Sequence, residues 1–151
     1  MAKLNVVRKI ESDNTILVAV SGGIDSMVAL DFFLRKFGRE KVMALHLNHH
    51  RSERANDEYN FVSKYCNTND IALTLSYQDD DYEGGSLENY WRLGRKKFYR
   101  RFKNNVLITG HHLDDAVEWY LFTSFRGDAK VMPYKTENTI KPFILNKKQD
   151  F

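Results

Sequence analysis

Residues 15–26 read "TILVAVSGGIDS", and the reading of this stretch sets the fold. "TILVAV" (15–20) is aliphatic and largely β-branched, the composition of a short strand buried on both faces. "SGGIDS" (21–26) then supplies two adjacent glycines, two hydroxyls and a carboxylate. From Asp25 onward apolar residues recur near a 3.6-residue period through Val28, Phe32, Phe33 and Phe37, which predicts a helix. A strand-to-helix turn of this kind aims backbone N–H groups and the positive end of a helix at an anion. A plain Gly-Gly turn with Ser or Asp as the helix cap is the simpler reading, but it leaves Asp25 unexplained. A carboxylate repels phosphate unless a cation lies between them, and Mg²⁺ held by one carboxylate plus phosphate oxygens is the usual solution. The loop therefore suits a magnesium-bound nucleotide. It is not G-x-x-x-x-G-K-[ST] and has no lysine, which excludes a Walker-type loop.

The same alternation runs along the chain. Strands are expected at 15–20, 42–48, 71–77 and 105–109, and helices at 25–37, 55–68, 86–103 and 112–126. This β-α rhythm predicts an α/β, doubly wound parallel sheet with helices on both faces. After Gly127 the rhythm breaks. "KVMPY" and "TIKPFIL", carrying Pro133 and Pro142, are expected as short edge or loop segments. With 151 residues and no linker or repeat, one domain is expected over 1–151.

Composition narrows the class. At 42% hydrophobic and 13% aromatic residues, the chain has enough apolar side chains for a packed core rather than disorder. No apolar run reaches the roughly 20 residues of a membrane span, and the first 14 residues lack the apolar region of a signal peptide. Cys66 is the only cysteine, so disulfides and cysteine-based zinc sites are excluded and a reducing cytoplasmic location is expected. Net charge is only +3. Its distribution is more telling, because "RLGRKKFYRRFK" (92–103) carries seven basic residues and no acid. A local basic face, with Arg92, Arg95, Lys96, Arg100 and Lys103 as expected phosphate contacts, permits a polyanionic partner, although a solvated helix face is the simpler reading.

In doubly wound sheets ligands sit beyond the carboxyl ends of the strands. Three polar clusters fall there: Ser21–Ser26, "HLNHHRS" (46–52) and "GHHLDD" (110–115). In the last, Asp115 and Glu118 are three apart on one helix face, and His111 and Asp115 are four apart on nearly the same face. Adjacent acids in a first turn also complement the helix dipole. Glu118, within "AVEWYLF", requires a partner if its neighbours are buried. Arg51 is a candidate phosphate contact, His46, His49 and His50 line the nucleotide edge or the surface, and Cys66 is a core residue. The helix "SLENYWRLGRKKFYRRF" places Leu87, Trp91, Gly94, Phe98 and Phe102 along one stripe, with Arg92, Lys96, Arg100 and Lys103 opposite. Gly94 on that stripe marks a close backbone approach rather than a ligand contact.

Together these motifs resemble a known family. "SGGIDS" resembles the pyrophosphatase loop, or PP-loop, of N-type ATP pyrophosphatases. "HLNHHRS", "NDEYNFV", "SLENYWRLGRKKF", "GHHLDDAVEWYL", "VMPY" and "TIKPFILNKK" follow in the order of the tRNA(Ile)-lysidine synthetase family. The resemblance spans about 15 to 148 and implies an adenine-nucleotide alpha-hydrolase-like sheet. It implies two-step chemistry: ATP adenylates the wobble cytidine of an isoleucine tRNA and releases pyrophosphate, then free lysine displaces AMP. It implies that Ser21, Gly22, Gly23, Ile24, Asp25 and Ser26 bind ATP and that Asp25 holds Mg²⁺. His112, Asp115 and Glu118 would position nucleotide and lysine, and Arg92 would face phosphate or the activated base. Two positions depart from the pattern: Trp119 stands where the family has a small hydroxyl residue, and Lys96 where an aromatic is common. The family's C-terminal tRNA-binding extension is not matched, so a second subunit or a homodimer is expected to supply that region. The alternatives are a tRNA cytidine thiolase, which the lone cysteine disfavours, half of a split enzyme, and a non-catalytic ATP-binding module.

Overall fold

The computed structural model describes residues 4–11, 13–49, 53–78 and 81–151. His50, Arg51 and the start of the acidic run 79–83 lie outside these. The elements are β1 (Ile16–Ala19), α1 (Ile24–Phe37), β2 (Val42–Asn48), α2 (Glu53–Thr68), β3 (Ala72–Tyr77), α3 (Leu87–Arg100), β4 (Val106–Ile108), α4 (Leu113–Phe125), β5 (Lys135–Thr136), β6 (Thr139–Ile140) and a closing 3₁₀ turn, Lys148–Asp150. They form a six-stranded sheet in the order β3-β2-β1-β4-β6-β5. All neighbours pair parallel except β5, which is antiparallel to β6. The expected parallel α/β sheet is present, and both of its faces carry helices.

Burial explains the strand composition. All four residues of β1 are buried, as a central strand between β2 and β4 requires. On one face α1 and α2 pack Ala29, Leu30, Phe33, Val62 and Cys66 against Ile16, Val18, Val42, Ala44 and Ile108. On the other, Phe98 of α3 meets Leu17, Leu45 and Leu107. Phe33 and Phe143 are fully enclosed with ring centroids 6.0 Å apart. Truncating either to alanine would cost about 3–5 kcal/mol.

The region after Gly127 resolves into a small edge. Residues 130–134, containing "KVMPY", form no strand. "TIKPFIL" supplies β6, which pairs with β4 through Leu107↔Thr139 and Ile108↔Ile140. Pro142 falls just beyond it, where no ladder N–H is needed. Asn146, buried, then joins three distant segments. Its Oδ1 accepts from the Asn5 amide at 2.8 Å, its Nδ2 donates to the Asn5 carbonyl at 2.7 Å, and its carbonyl accepts from the Leu113 amide at 2.8 Å.

Helix α4 differs from the others. Of its 13 residues Thr123 alone is buried, and Val117, Tyr120, Leu121, Phe122 and Phe125 are all exposed. The apolar run around Glu118 therefore faces outward. Glu118 itself is exposed, so the buried carboxylate suggested by its neighbours does not exist. No helix among the described residues is long and apolar enough to cross a membrane.

Candidate active site

The turn after β1 is held by its own hydroxyls. Ser26 Oγ donates to the Gly23 carbonyl at 2.9 Å and accepts from the Ser21 amide at 3.1 Å. Ser21 Oγ accepts from the Gly23 amide at 3.3 Å and lies 3.2 Å from Ser26 Oγ. Gly22 has φ +90°, in the left-handed region, and a Cβ there would stand 3.3 Å from Glu58 of α2. Both facts require glycine. Gly23 caps α1 without a side-chain hydrogen bond, which leaves the first-turn N–H groups to an anion.

Gly110 brings a second strand end to this turn. A Cβ at Gly110 would lie 2.8 Å from the Asp25 carbonyl oxygen, so only glycine lets β4 and α1 approach this closely. The approach delivers His112. Its Nε2 stands 3.3 Å from Asp25 Oδ2, and its Nδ1 stands 3.3 Å from Asp115 Oδ2 and 3.6 Å from Asp114 Oδ2. The His112 amide donates to Asp115 Oδ2 at 2.8 Å, closing the first turn of α4. The ring is almost fully buried, with the Phe151 ring 5.4 Å away. Asp114 is turned aside, accepting from the Lys148 amide at 2.6 Å.

These parts border a cavity of about 360 Å³ lined by Ser21, Asp25, Ser26, His49, Arg95, Tyr99, Thr109, Gly110, His111, Asp115 and Thr139, among others. The structure thus brings Ser21, Asp25, Ser26 and Asp115 together, with His112 behind them. Gly22, Gly23 and Ile24 complete the turn. Glu118 is not in the lining. Arg92 is exposed and donates to Asn89 Oδ1 at 2.8 Å, whereas Arg95, one turn on, reaches the cavity. Arg95 lies four residues after Trp91 and three before Phe98, on the apolar stripe, and that spacing was the sequence signal for its inward placement.

Sequence reasoning also passed over Tyr99 and Lys141, and read His111 only as a helix-face neighbour of Asp115. His111 Nδ1 is 2.8 Å from Thr109 Oγ1. Burial lowers its pKa from 6.5, opposed by Asp115 and reinforced by Lys141 and Arg95. The buried Lys141 ammonium donates to Thr136 Oγ1 at 3.3 Å, and desolvation lowers its pKa. At the β2 end, His46 Nδ1 donates to the Val20 carbonyl at 2.8 Å. His49 Nδ1 meets Gln78 Oε1 at 2.7 Å. Gln78 in turn donates to the Tyr90 carbonyl and lies over Gly94, where a Cβ would collide with its amide. The close approach at Gly94 is thus made by a side chain and not by the backbone that was expected. Desolvation lowers the pKa of both His46 and His49.

The donor set fits magnesium. Asp25 Oδ1 is buried with no hydrogen-bond partner in the protein, and an orphaned carboxylate oxygen beside an open anion nest suits Mg²⁺ shared with phosphate oxygens. No group of three or more His, Cys, Asp or Glu side chains arranged for a metal occurs among the described residues.

Fold and site define an α/β nucleotide-binding domain with its anion nest at the end of the first strand. The chain belongs to the PP-loop domain family, an ATP-utilising family whose model matches residues 1–146. It is 35% identical to the bifunctional protein TilS/HprT of Listeria monocytogenes, over 89% of this chain and 24% of that protein. It is 28% identical to the tRNA(Ile)-lysidine synthase of Streptococcus equi subsp. zooepidemicus, over 97% of this chain and 37% of that protein. The chain therefore spans about a quarter to over a third of these relatives. The U34-tRNA thiolase NcsA of Methanococcus maripaludis, solved with its [4Fe-4S] cluster, shares the fold with a TM-score of 0.75 at 18% identity, covering 93% of this chain and 54% of that one.

Proposed function

We propose that the chain carries the ATP-dependent step of lysidine synthesis, adenylating the wobble cytidine of an isoleucine tRNA and joining it to lysine. The observation that carries this reading is the junction of Asp25 and Asp115 across His112 at the rim of one cavity. Binding adenosine alone would need no such junction.

In this mechanism the first-turn N–H groups of α1 with Ser21 and Ser26 receive the β- and γ-phosphates. Asp25 holds Mg²⁺, which when bound neutralises charge on the departing pyrophosphate. The cytidine O2 attacks the α-phosphorus, the bond to the β-phosphate oxygen breaks, and pyrophosphate leaves. Arg95 faces the charge that builds on the α-phosphoryl group. Lysine nitrogen then forms a bond to C2 of the base, and the C2–O bond breaks to release AMP. Asp115 holds the incoming amine at the cavity rim. His111, neutral through burial, accepts the proton that the amine sheds. Glu118, exposed one turn further along α4, steers the cationic substrate toward Asp115.

The tRNA backbone is received by the exposed basic side of α3, where Arg92, Lys96, Arg100 and Lys103 lie. Further tRNA contacts come from a second subunit or a homodimer, and the setting is cytoplasmic. The thiolase alternative is disfavoured by Cys66, which is buried in the core on α2 with its thiol pKa raised by desolvation to about 11. No thiolate reaches the cavity.

ATP–pyrophosphate exchange by the purified protein, with and without bulk tRNA and lysine, tests the proposal. Exchange dependent on tRNA is expected. ATP binding without exchange under any of these conditions would reduce the chain to a nucleotide-binding module.

A further inference from the structure

We infer that Lys141 binds the carboxylate of the free amino acid at the β4–β6 side of the cavity while Asp115 holds the amine, and so selects an amino acid over a simple amine. The inference rests on the reaction proposed above, in which a free amino acid enters this cavity.

Lys141 directly follows β6 in extended chain. The Thr109 amide donates to the Ile140 carbonyl at 3.1 Å, and the Lys141 amide donates to the Tyr134 carbonyl at 2.8 Å. Side chains alternate along such a segment. Ile140 packs against the core on the α1–α2 face, so Thr139 and Lys141 turn to the α3 face, where Thr139 lines the cavity. Thr109, also in the lining, is buried and its Oγ1 stands 2.8 Å from His111 Nδ1. The His111 ring responds to both charges, since Asp115 raises its pKa and Lys141 lowers it. An acid and a base therefore lie near one imidazole, which suits a ligand that carries both an ammonium and a carboxylate.

Lysine is almost never fully buried unless it is paired, yet Lys141 is only 8% exposed. Among the described residues its ammonium makes one hydrogen bond, to Thr136 Oγ1 at 3.3 Å, and no ion pair. An ammonium has three donors, so two are unused, and a buried charge without a counter-ion is costly. Desolvation lowers its pKa with no carboxylate beside it to raise it again. The partner it lacks is an anion. In the proposed reaction the phosphates of ATP are served elsewhere, by the first turn of α1, by the ion on Asp25 and by Arg95. The carboxylate of the amino acid is the anion still without a cation, and a charge-assisted bond to Lys141 satisfies both.

Equilibrium dialysis of radiolabelled lysine and of radiolabelled 1,5-diaminopentane, each with ATP and magnesium present, tests this without requiring turnover. The diamine keeps both amines, lacks the carboxylate and carries the greater positive charge, so the acidic rim alone would favour it. The wild type should instead bind lysine roughly 10–100-fold more tightly than the diamine. Lys141→Met, close in volume, should remove that preference by weakening lysine alone, and Lys141→Arg should keep it. Circular dichroism and thermal melting show that each variant is folded, and the wild-type comparison stands without them. No preference for lysine in the wild type, no lysine binding at millimolar concentration, or a preference that survives Lys141→Met would each overturn the inference. In the last case a loss of ATP affinity in Lys141→Met would give the ammonium to a phosphate instead. ATP–pyrophosphate exchange judges the proposed reaction separately. Exchange without selectivity for lysine would remove this inference and leave the reaction, whereas selectivity without exchange would do the reverse.

Discussion

Asp25 and His112 stand 87 positions apart in the chain and 3.3 Å apart in space. The contact joins the turn after β1 to the first turn of α4, so the orientation of the proposed metal ligand depends on a residue that follows the neighbouring strand, β4. Asp25→Ala is expected to remove magnesium-dependent ATP affinity while lowering stability by only about 1 kcal/mol, because Asp25 lies at the loop edge. His112→Gln keeps a polar group near Asp25 without the ring, and is expected to weaken magnesium-dependent ATP binding by roughly 10–100-fold. Isothermal titration with ATP at fixed magnesium, and again in chelator, separates the two effects. Unchanged affinity in Asp25→Ala would remove Asp25 as a ligand.

Gly110 sets the closeness of that join. With a Cβ 2.8 Å from the Asp25 carbonyl, Gly110→Ala must push backbone against backbone, and about 1–3 kcal/mol of destabilisation is expected. The shift in urea midpoint measures it. A neutral substitution would mean that the two strand ends separate at little cost.

The acids of α4 are expected to behave differently. Asp115 lines the cavity and accepts from the His112 amide, so Asp115→Asn should abolish product formation while ATP still binds. Glu118→Gln, at an exposed position, should raise the lysine KM several-fold and change kcat little. Steady-state kinetics over a lysine series gives both constants. Loss of turnover in Glu118→Gln with unchanged KM would place its carboxylate at the reacting atoms instead.

Acid should destabilise the protein in a defined window. Burial lowers the pKa of His46, His49 and His111 from 6.5 in the native state. Below about pH 6.5 the unfolded chain takes up protons that the native chain refuses, so stability falls as pH falls through 6.5 and levels off once the native histidines also titrate. Above that value the contribution is fully present. Urea unfolding at several pH values should show this decline, and His46→Gln should flatten it in part.

Binding to tRNA should depend steeply on salt. Arg100 and Lys96 share Glu137, at 3.5 and 3.9 Å, which trims the field of α3 without cancelling it. Replacing Arg100 and Lys103 together by Glu should lower the slope of log affinity against log salt by roughly two. A slope unchanged in the double variant would place the RNA on another surface.

The fold was largely legible because its signals are periodic. β1 and β2 appear where apolar runs placed them, and α1 to α3 follow their stripes to within a few residues. The β5–β6 edge was harder to read, since strands of two residues carry no period and draw their place from β4. In α4 apolar residues surround the helix, and such a composition does not distinguish burial from exposure, so Glu118 read as enclosed when it is not. The turn at 21–26 was legible from residue chemistry alone. Arg95 was assigned to the outward basic face, His111 was read only as a helix-face neighbour of Asp115, and Lys141 was not singled out, because which side of an element faces a cavity depends on partners far along the chain.

The buried amide of Asn146 has a consequence for synthesis on the ribosome. It is the tie that joins Asn5 to the start of α4, and α4 carries the acid that meets His112. A nascent chain that has displayed the turn at 21–26, the whole of β4 and even α4 itself still lacks this clasp. The start of α4 is tied to the N-terminal segment only once residue 146 has emerged.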